Sequence, residues 1–355
     1  MSIQARLFEI GLVALLCALF AVGAAAQPLS CTAAKTAKSG QGDKKVMFKV
    51  INETGGPVIL TWIDFGGKPV EYAEIKPGQA LAQSTFDTHA WIVSSGKGDC
   101  ICGLVADADQ TWTVGGRGCR AGEPLFEPTS SYHTETSPTG WRVLVSNHLF
   151  DSDADALRRK TMARLWLALD DMAARLPKPA VAALRSTPIW LELDDPMNPG
   201  GVYHPSLDWL KANGFNPDKV SAVQFAAKTF TSWIETQPAM VLHEYSHAFL
   251  NQFLGDGHPE LVAAFERACK AGLYADVQKK DGWHGRAYAL DNQMEFFAEL
   301  SEAFFWQNDF SPYEHDDLVR HDPASAAMIA SLWDGGHKPL KRIAGGATPP
   351  ILTCP

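Results

Sequence analysis

The stretch Met240–Leu250, MVLHEYSHAFL, sets two histidines four positions apart in an otherwise apolar run, with a glutamate directly after the first. On an α-helix, positions i and i+4 lie one turn apart on the same face, so His243 and His247 can turn ring nitrogens to a single point. Glu244 stands beside that point, within reach of a water held there. The flanking Met240, Val241, Leu242, Ala248, Phe249 and Leu250 suit a buried helix. This is an H-E-x-x-H arrangement, in which two imidazoles ligate zinc and the glutamate acts as general base.

A zinc site of this kind needs a third protein donor. The segment Tyr288–Phe305, YALDNQMEFFAELSEAFF, offers one, because Glu295 and Glu299 are again a helical turn apart among Phe296, Phe297, Phe304 and Phe305. Two carboxylates on a buried aromatic face are costly without a partner. A zinc ion bound by Glu295, with Glu299 orienting a histidine ligand from behind, removes that cost. Glu302 and Asp291 rank below Glu295, since neither has a matching carboxylate at i+4. One Zn2+ per chain is therefore expected on His243, His247 and Glu295, with Glu244 taking the proton of the attacking water and passing it to the leaving amine.

HEYSH followed by RAYALDNQMEFFAE resembles the gluzincin metallopeptidases, in particular the anthrax lethal factor-like catalytic domain. The resemblance covers roughly residues 140–339 and is specific around the two helices. It implies a zinc metalloendopeptidase in which Glu295 binds the metal, Glu299 supports from the outer shell and Tyr288 assists the transition state, with His284 a second donor nearby. It also implies an edge strand that binds substrate antiparallel, for which SAVQFAAKTF, Ser221–Phe230, is the expected segment.

The rest of the chain constrains the setting. With 355 residues, 46% hydrophobic and 20% charged, it is long enough for two domains with real cores. A formal charge of −9 with no basic cluster denser than LRRK at Leu157–Lys160 argues against nucleic acid as a partner. Residues 1–26 read as a secretory signal: one Arg, an apolar run from Ile10 to Val22, then Ala24-Ala25-Ala26. That run falls short of the about 20 residues a membrane span needs. A secreted or periplasmic monomer without a membrane span is expected. Removing the signal leaves Cys31, Cys100, Cys102, Cys119, Cys269 and Cys354, an even set that favours disulfides. Cys100 and Cys102 are too close to pair with each other, so each is expected to reach a partner such as Cys31 or Cys119, leaving Cys269 for Cys354.

After a segment 27–44, residues 45–115 are built from short β-type runs, VMFKVI, VILTWIDF, HAWIVSS and TWTV, broken by ETGGP, FGGKP and KPGQ. They read as a small all-β sandwich. Residues 116–140, rich in Gly, Pro, Ser and Thr, read as a linker. From 141 to 355 the pattern is α+β, with strands at WRVLVS, PIWLEL and SAVQFAAKTFT and helices late. Met162, Leu165, Leu169, Met172 and Leu176 mark one apolar helical face. The fold class expected is thus multidomain, a β-sandwich followed by a zincin-like metallopeptidase domain.

Val58–Val93, VILTWIDFGGKPVEYAEIKPGQALAQSTFDTHAWIV, resembles the von Hippel–Lindau β-domain through W-x-x-F-x-G-x-P-x-x-Y, P-G and H-x-W. That family reads 4-hydroxyproline in extended peptides, and the matching positions are Trp62, Tyr72, Thr85, His89 and Trp91, with Thr85 standing for a serine. Aromatic faces suit the pyrrolidine ring, while a hydroxyl and an imidazole suit the ligand hydroxyl. The resemblance implies a protein or peptide partner containing hydroxyproline. Two further readings stand beside it: a binding module whose zinc domain is inactive, and a protease whose β-domain is purely structural.

Overall fold

Strong alternation in the first third of the chain produces two facing sheets. In the computed structural model, residues 28–116, 118–123, 125–198, 200–212, 214–334, 340–343 and 350–354 are described; the expected signal, residues 1–26, lies outside them. A short helix α1 (Cys31–Ala34) precedes β1 (Lys45–Asn52), β2 (Val58–Ile63), β3 (Pro69–Ile75), β4 (Ala80–Phe86), β5 (Ala90–Ser95), β6 (Cys100–Val105), β7 (Gln110–Gly115) and β8 (Gly118–Glu123). One sheet runs β4-β1-β7-β8 and the other β3-β2-β5-β6. Val46, Phe48 and Val50 of β1 meet Val58, Leu60, Trp91, Val93 and Leu104 across the sandwich, the one-sided burial that a period of two dictates.

Residues 28–44 are tied to this sandwich. Leu29 pairs with Gly103, and the Ser39 hydroxyl donates to the Ile63 carbonyl while accepting from the Ala90 N–H. Gly103 has to be glycine, because a Cβ there would sit 2.7 Å from Ala34 Cβ. The disulfides are Cys31–Cys100, Cys102–Cys119 and Cys269–Cys354. The second joins β6 of one sheet to β8 of the other.

The expected linker is a correction. Residues 116–140 hold β8, which closes the first sheet, and β9 (Tyr132–Thr136), which opens the next. Their Gly and Pro residues mark the turns between strands rather than a tether.

The second unit continues with β10 (Arg142–Ser146), α2 (Asp155–Arg175), α3 (Lys178–Leu184), β11 (Ile189–Glu192), β12 (Gly201–Tyr203), α4 (Leu207–Ala212), β13 (Val223–Ala226) and α5 (Ala227–Thr236). Helices α6 (Met240–Phe249), α7 (Pro259–Ala271), α8 (Gln293–Phe305), α9 (His315–His321) and α10 (Pro323–Asp334) follow. The sheet order is β12-β13-β11-β10-β9, with β10, β11 and β13 parallel to one another. Strands and helices are therefore interleaved as far as α5 rather than segregated, since parallel neighbours need crossover connections. Met162, Leu165, Leu169 and Met172 are the buried face of α2.

SAVQFAAKTFT divides between β13 and α5. Moreover, β13 is paired on both sides, so the edge strand expected there is β12, which lies antiparallel to it. Among the described residues no helix is long and apolar enough to cross a membrane.

Candidate metal centre and β-domain aromatic cluster

Helix α6 is buried almost all round, which is what its apolar composition requires. It packs against α8, whose start is fixed by Asn292: the side-chain oxygen accepts from the N–H groups of Met294 and Glu295. That cap fixes where α8 begins, and its packing on α6 puts Glu295 opposite the two histidines.

Three donor atoms converge. His243 Nε2 lies 3.1 Å from His247 Nε2 and 3.1 Å from Glu295 Oε2, and His247 Nε2 lies 3.2 Å from the same oxygen. A tetrahedral zinc with bonds of about 2.0–2.1 Å spaces its ligands about 3.3–3.4 Å apart, so this near-equilateral triangle matches one face of such a polyhedron. Two imidazoles and one carboxylate also suit zinc chemically. Burial raises the Glu295 pKa, but the two histidines outweigh it and hold the carboxyl well below its usual range. Burial likewise opposes charging His243, and there Glu295 and Glu302 prevail and raise the imidazole pKa.

Of the two carboxylates behind His243, Glu302 lies nearer than Glu299, the one expected to orient a histidine. His243 Nδ1–H donates to Glu302 Oε1 at 2.6 Å, whereas Glu299 Oε1 is 3.8 Å away. With Nδ1 as donor, Nε2 keeps its lone pair for a metal. Glu295, Glu299 and Glu302 follow i, i+4, i+7 on one helical face, and that spacing was the signal for Glu302. Asp291 instead pairs with Arg286 at the surface.

Glu244 is buried beside this triangle, its pKa raised by desolvation and held in check by the two histidines; the Tyr203 N–H also donates to it. Gly201 on β12 makes room for it, since a Cβ there would lie 2.9 Å from Glu244 Cγ and 2.7 Å from Phe225 Cε1. Sequence reasoning missed this glycine. Tyr288 is half-exposed, its ring parallel to His243 at 6.2 Å, and burial together with the facing Glu295 carboxylate raises its phenol pKa. Both Tyr288 and Glu244 line two cavities, of about 420 and 370 Å³, that flank the donors. His284 is exposed and lines neither.

In the β-sandwich, the five aromatic and polar positions come together from β2, β3, β4, β5 and the turn before β5. Trp62 stands edge-on to Tyr72 at 6.4 Å and 5.4 Å from the His89 ring, and Tyr72 contacts Trp91 at 4.9 Å. Thr85 Oγ1 and His89 Nδ1 are hydrogen-bonded at 2.9 Å. Trp91 is only 2% exposed and packs on Phe48, so it belongs to the core as much as to the cluster. Phe65 and Phe86, which sequence reasoning did not single out, also border His89.

Residues 39–105 match the family model described as the VHL beta domain, so the sandwich is a VHL beta domain and the remainder of the chain is a mixed α/β unit carrying clusters able to hold a metal. No curated protein matches the chain.

Proposed function

We propose that the protein is an exported zinc-dependent endopeptidase of gluzincin type, whose β-domain holds hydroxyproline-containing protein near the cleft. The observation that carries the catalytic reading is the triangle of His243 Nε2, His247 Nε2 and Glu295 Oε2, with the buried Glu244 carboxyl beside it. A zinc ion held there would supply Lewis-acid polarisation of a peptide carbonyl and ease deprotonation of water. Glu244 takes that proton and delivers it to the departing amine. Tyr288 donates to the oxygen on which negative charge develops. Glu302 fixes the His243 tautomer, and β12 offers the unpaired side of its backbone to an extended peptide.

A peptide-library digest with wild type and Glu244→Gln tests this reading. Cleavage by wild type that the variant loses supports it; equal activity of the two, or inert wild type carrying zinc, refutes it and leaves the binding-module reading.

For the β-domain, the supporting observation is the aromatic enclosure around the Thr85–His89 hydrogen bond, a hydroxyl and an imidazole already placed to serve a ligand hydroxyl. Full-length Glu244→Gln protein should bind a hydroxyproline peptide more tightly than its proline counterpart. Equal affinity removes that role and leaves the sandwich structural.

A further inference from the structure

The larger flanking cavity, about 420 Å³, adjoins His243 and Glu244 and falls within the size range of ligand pockets. Its apolar side is the Trp233 indole, which stands over Gly200, with Met240 and Phe310. Lys279 Nζ rests 4.8 Å above the Phe310 ring and is paired with Asp309 at 3.1 Å. Gln237 also donates to Asp309. Lys279 and Gln237 are thus committed to one carboxylate, while Asn198 Nδ2, which also lines the cavity, has no acceptor among the described residues.

Glu299 is different. Its residue is 3% exposed and lines this cavity; Asn308 donates to its carboxyl, yet among the described residues no donor reaches Oε2. A buried carboxylate oxygen left without a donor costs free energy that an incoming donor recovers. Around this cavity and the one that joins it at Trp233, Gln237 and Lys279, three carboxylates (Glu235, Asp281 and Asp309) face two ammonium groups (Lys279 and Lys280), leaving Glu244 and Glu299 aside. The balance favours a cation.

We infer that this cavity is a side-chain subsite for a basic residue of the substrate, its aliphatic stem between Trp233, Met240 and Phe310 and its ammonium or guanidinium group on Glu299 Oε2. This makes Glu299 a specificity determinant instead of the outer-shell support first expected of it. The inference rests on the peptidase reading above.

The test compares kcat/KM for peptides matched except for Lys against norleucine, and Arg against citrulline, at each position flanking the scissile bond. Zinc-loaded full-length wild type, Glu299→Gln and Trp233→Ala are used, with bound zinc measured for each. At one position Lys should exceed norleucine by about tenfold or more in wild type, and the ratio should fall to near one in Glu299→Gln. Ratios within one protein cancel any general loss of activity in that variant. Trp233→Ala should raise KM for Lys and norleucine alike at that position, leaving their ratio intact. If Glu299→Gln fails to fold, the wild-type ratio and Trp233→Ala decide. Active wild type without a preference at any position, or a preference that persists in Glu299→Gln, overturns the subsite alone. Zinc-loaded wild type that cleaves no peptide overturns the peptidase reading and the subsite together.

Discussion

His243 carries the chemistry of the site through both its ring nitrogens. Nδ1 is held by Glu302 at 2.6 Å, and Nε2 is one corner of the donor triangle. A carboxylate behind a histidine ligand fixes its tautomer and raises its basicity. Glu302→Gln should therefore weaken zinc binding by about 10–100-fold in a chelator competition, with the fold retained by circular dichroism. Affinity equal to wild type would return the orienting role to Glu299. The convergence of His243 and His247 was legible in sequence because i and i+4 share one helical face, while Glu244, one position on, was legible only as their neighbour. The choice between Glu299 and Glu302 was not, because it depends on the rotation of α8 against α6, which tertiary packing sets.

At the scale of elements, the site stands between α6, α8 and the edge strand β12. Gly201 of β12 lies against Glu244 of α6. Gly201→Ala would drive a methyl group against Phe225 and Glu244, costing about 1–3 kcal/mol and displacing the base. The expected result is a loss of kcat with zinc stoichiometry unchanged; an unaltered kcat would show that β12 does not position Glu244. VMFKVI and TWTV lie within β1 and β7, and β2 and β5 take up all of VILTWIDF and HAWIVSS except Asp64, Phe65 and His89, because alternation survives in half-buried sheets. SAVQFAAKTFT reads as one strand, yet only Val223–Ala226 is one, since a short apolar run does not reveal where period two gives way to 3.6. That the edge is β12 was hidden for a similar reason: three residues carry too little periodicity.

Across the whole molecule the two units share an interface rather than a tether. Gly214 packs against Met47 and Ala82 on the outer face of the first sheet, and the Asn216 side chain donates to the Glu127 carbonyl. Burial lowers the Lys49 pKa, countered by the facing Asp195 carboxylate of the second unit. Nearby, Lys219 donates to Glu192 at 2.6 Å and to Gln224 at 2.5 Å, and Gln224 in turn donates to Asp195. Asp195 accepts from the N–H of Asn198, a residue of the cleft. Lys219→Met would leave Glu192 buried without its cation, and should cost about 3–5 kcal/mol in a denaturant melt of zinc-loaded protein. A change under 1 kcal/mol would show that the network is hydrated and weak. The central claim, a zinc-dependent hydrolase, is tested most directly by titrating zinc into chelator-stripped protein while following both bound metal and peptide cleavage. Activity should rise in proportion to bound zinc up to one equivalent, while Glu244→Gln binds the same equivalent without turnover; cleavage that persists without zinc, or a wild type that takes up none, would contradict it.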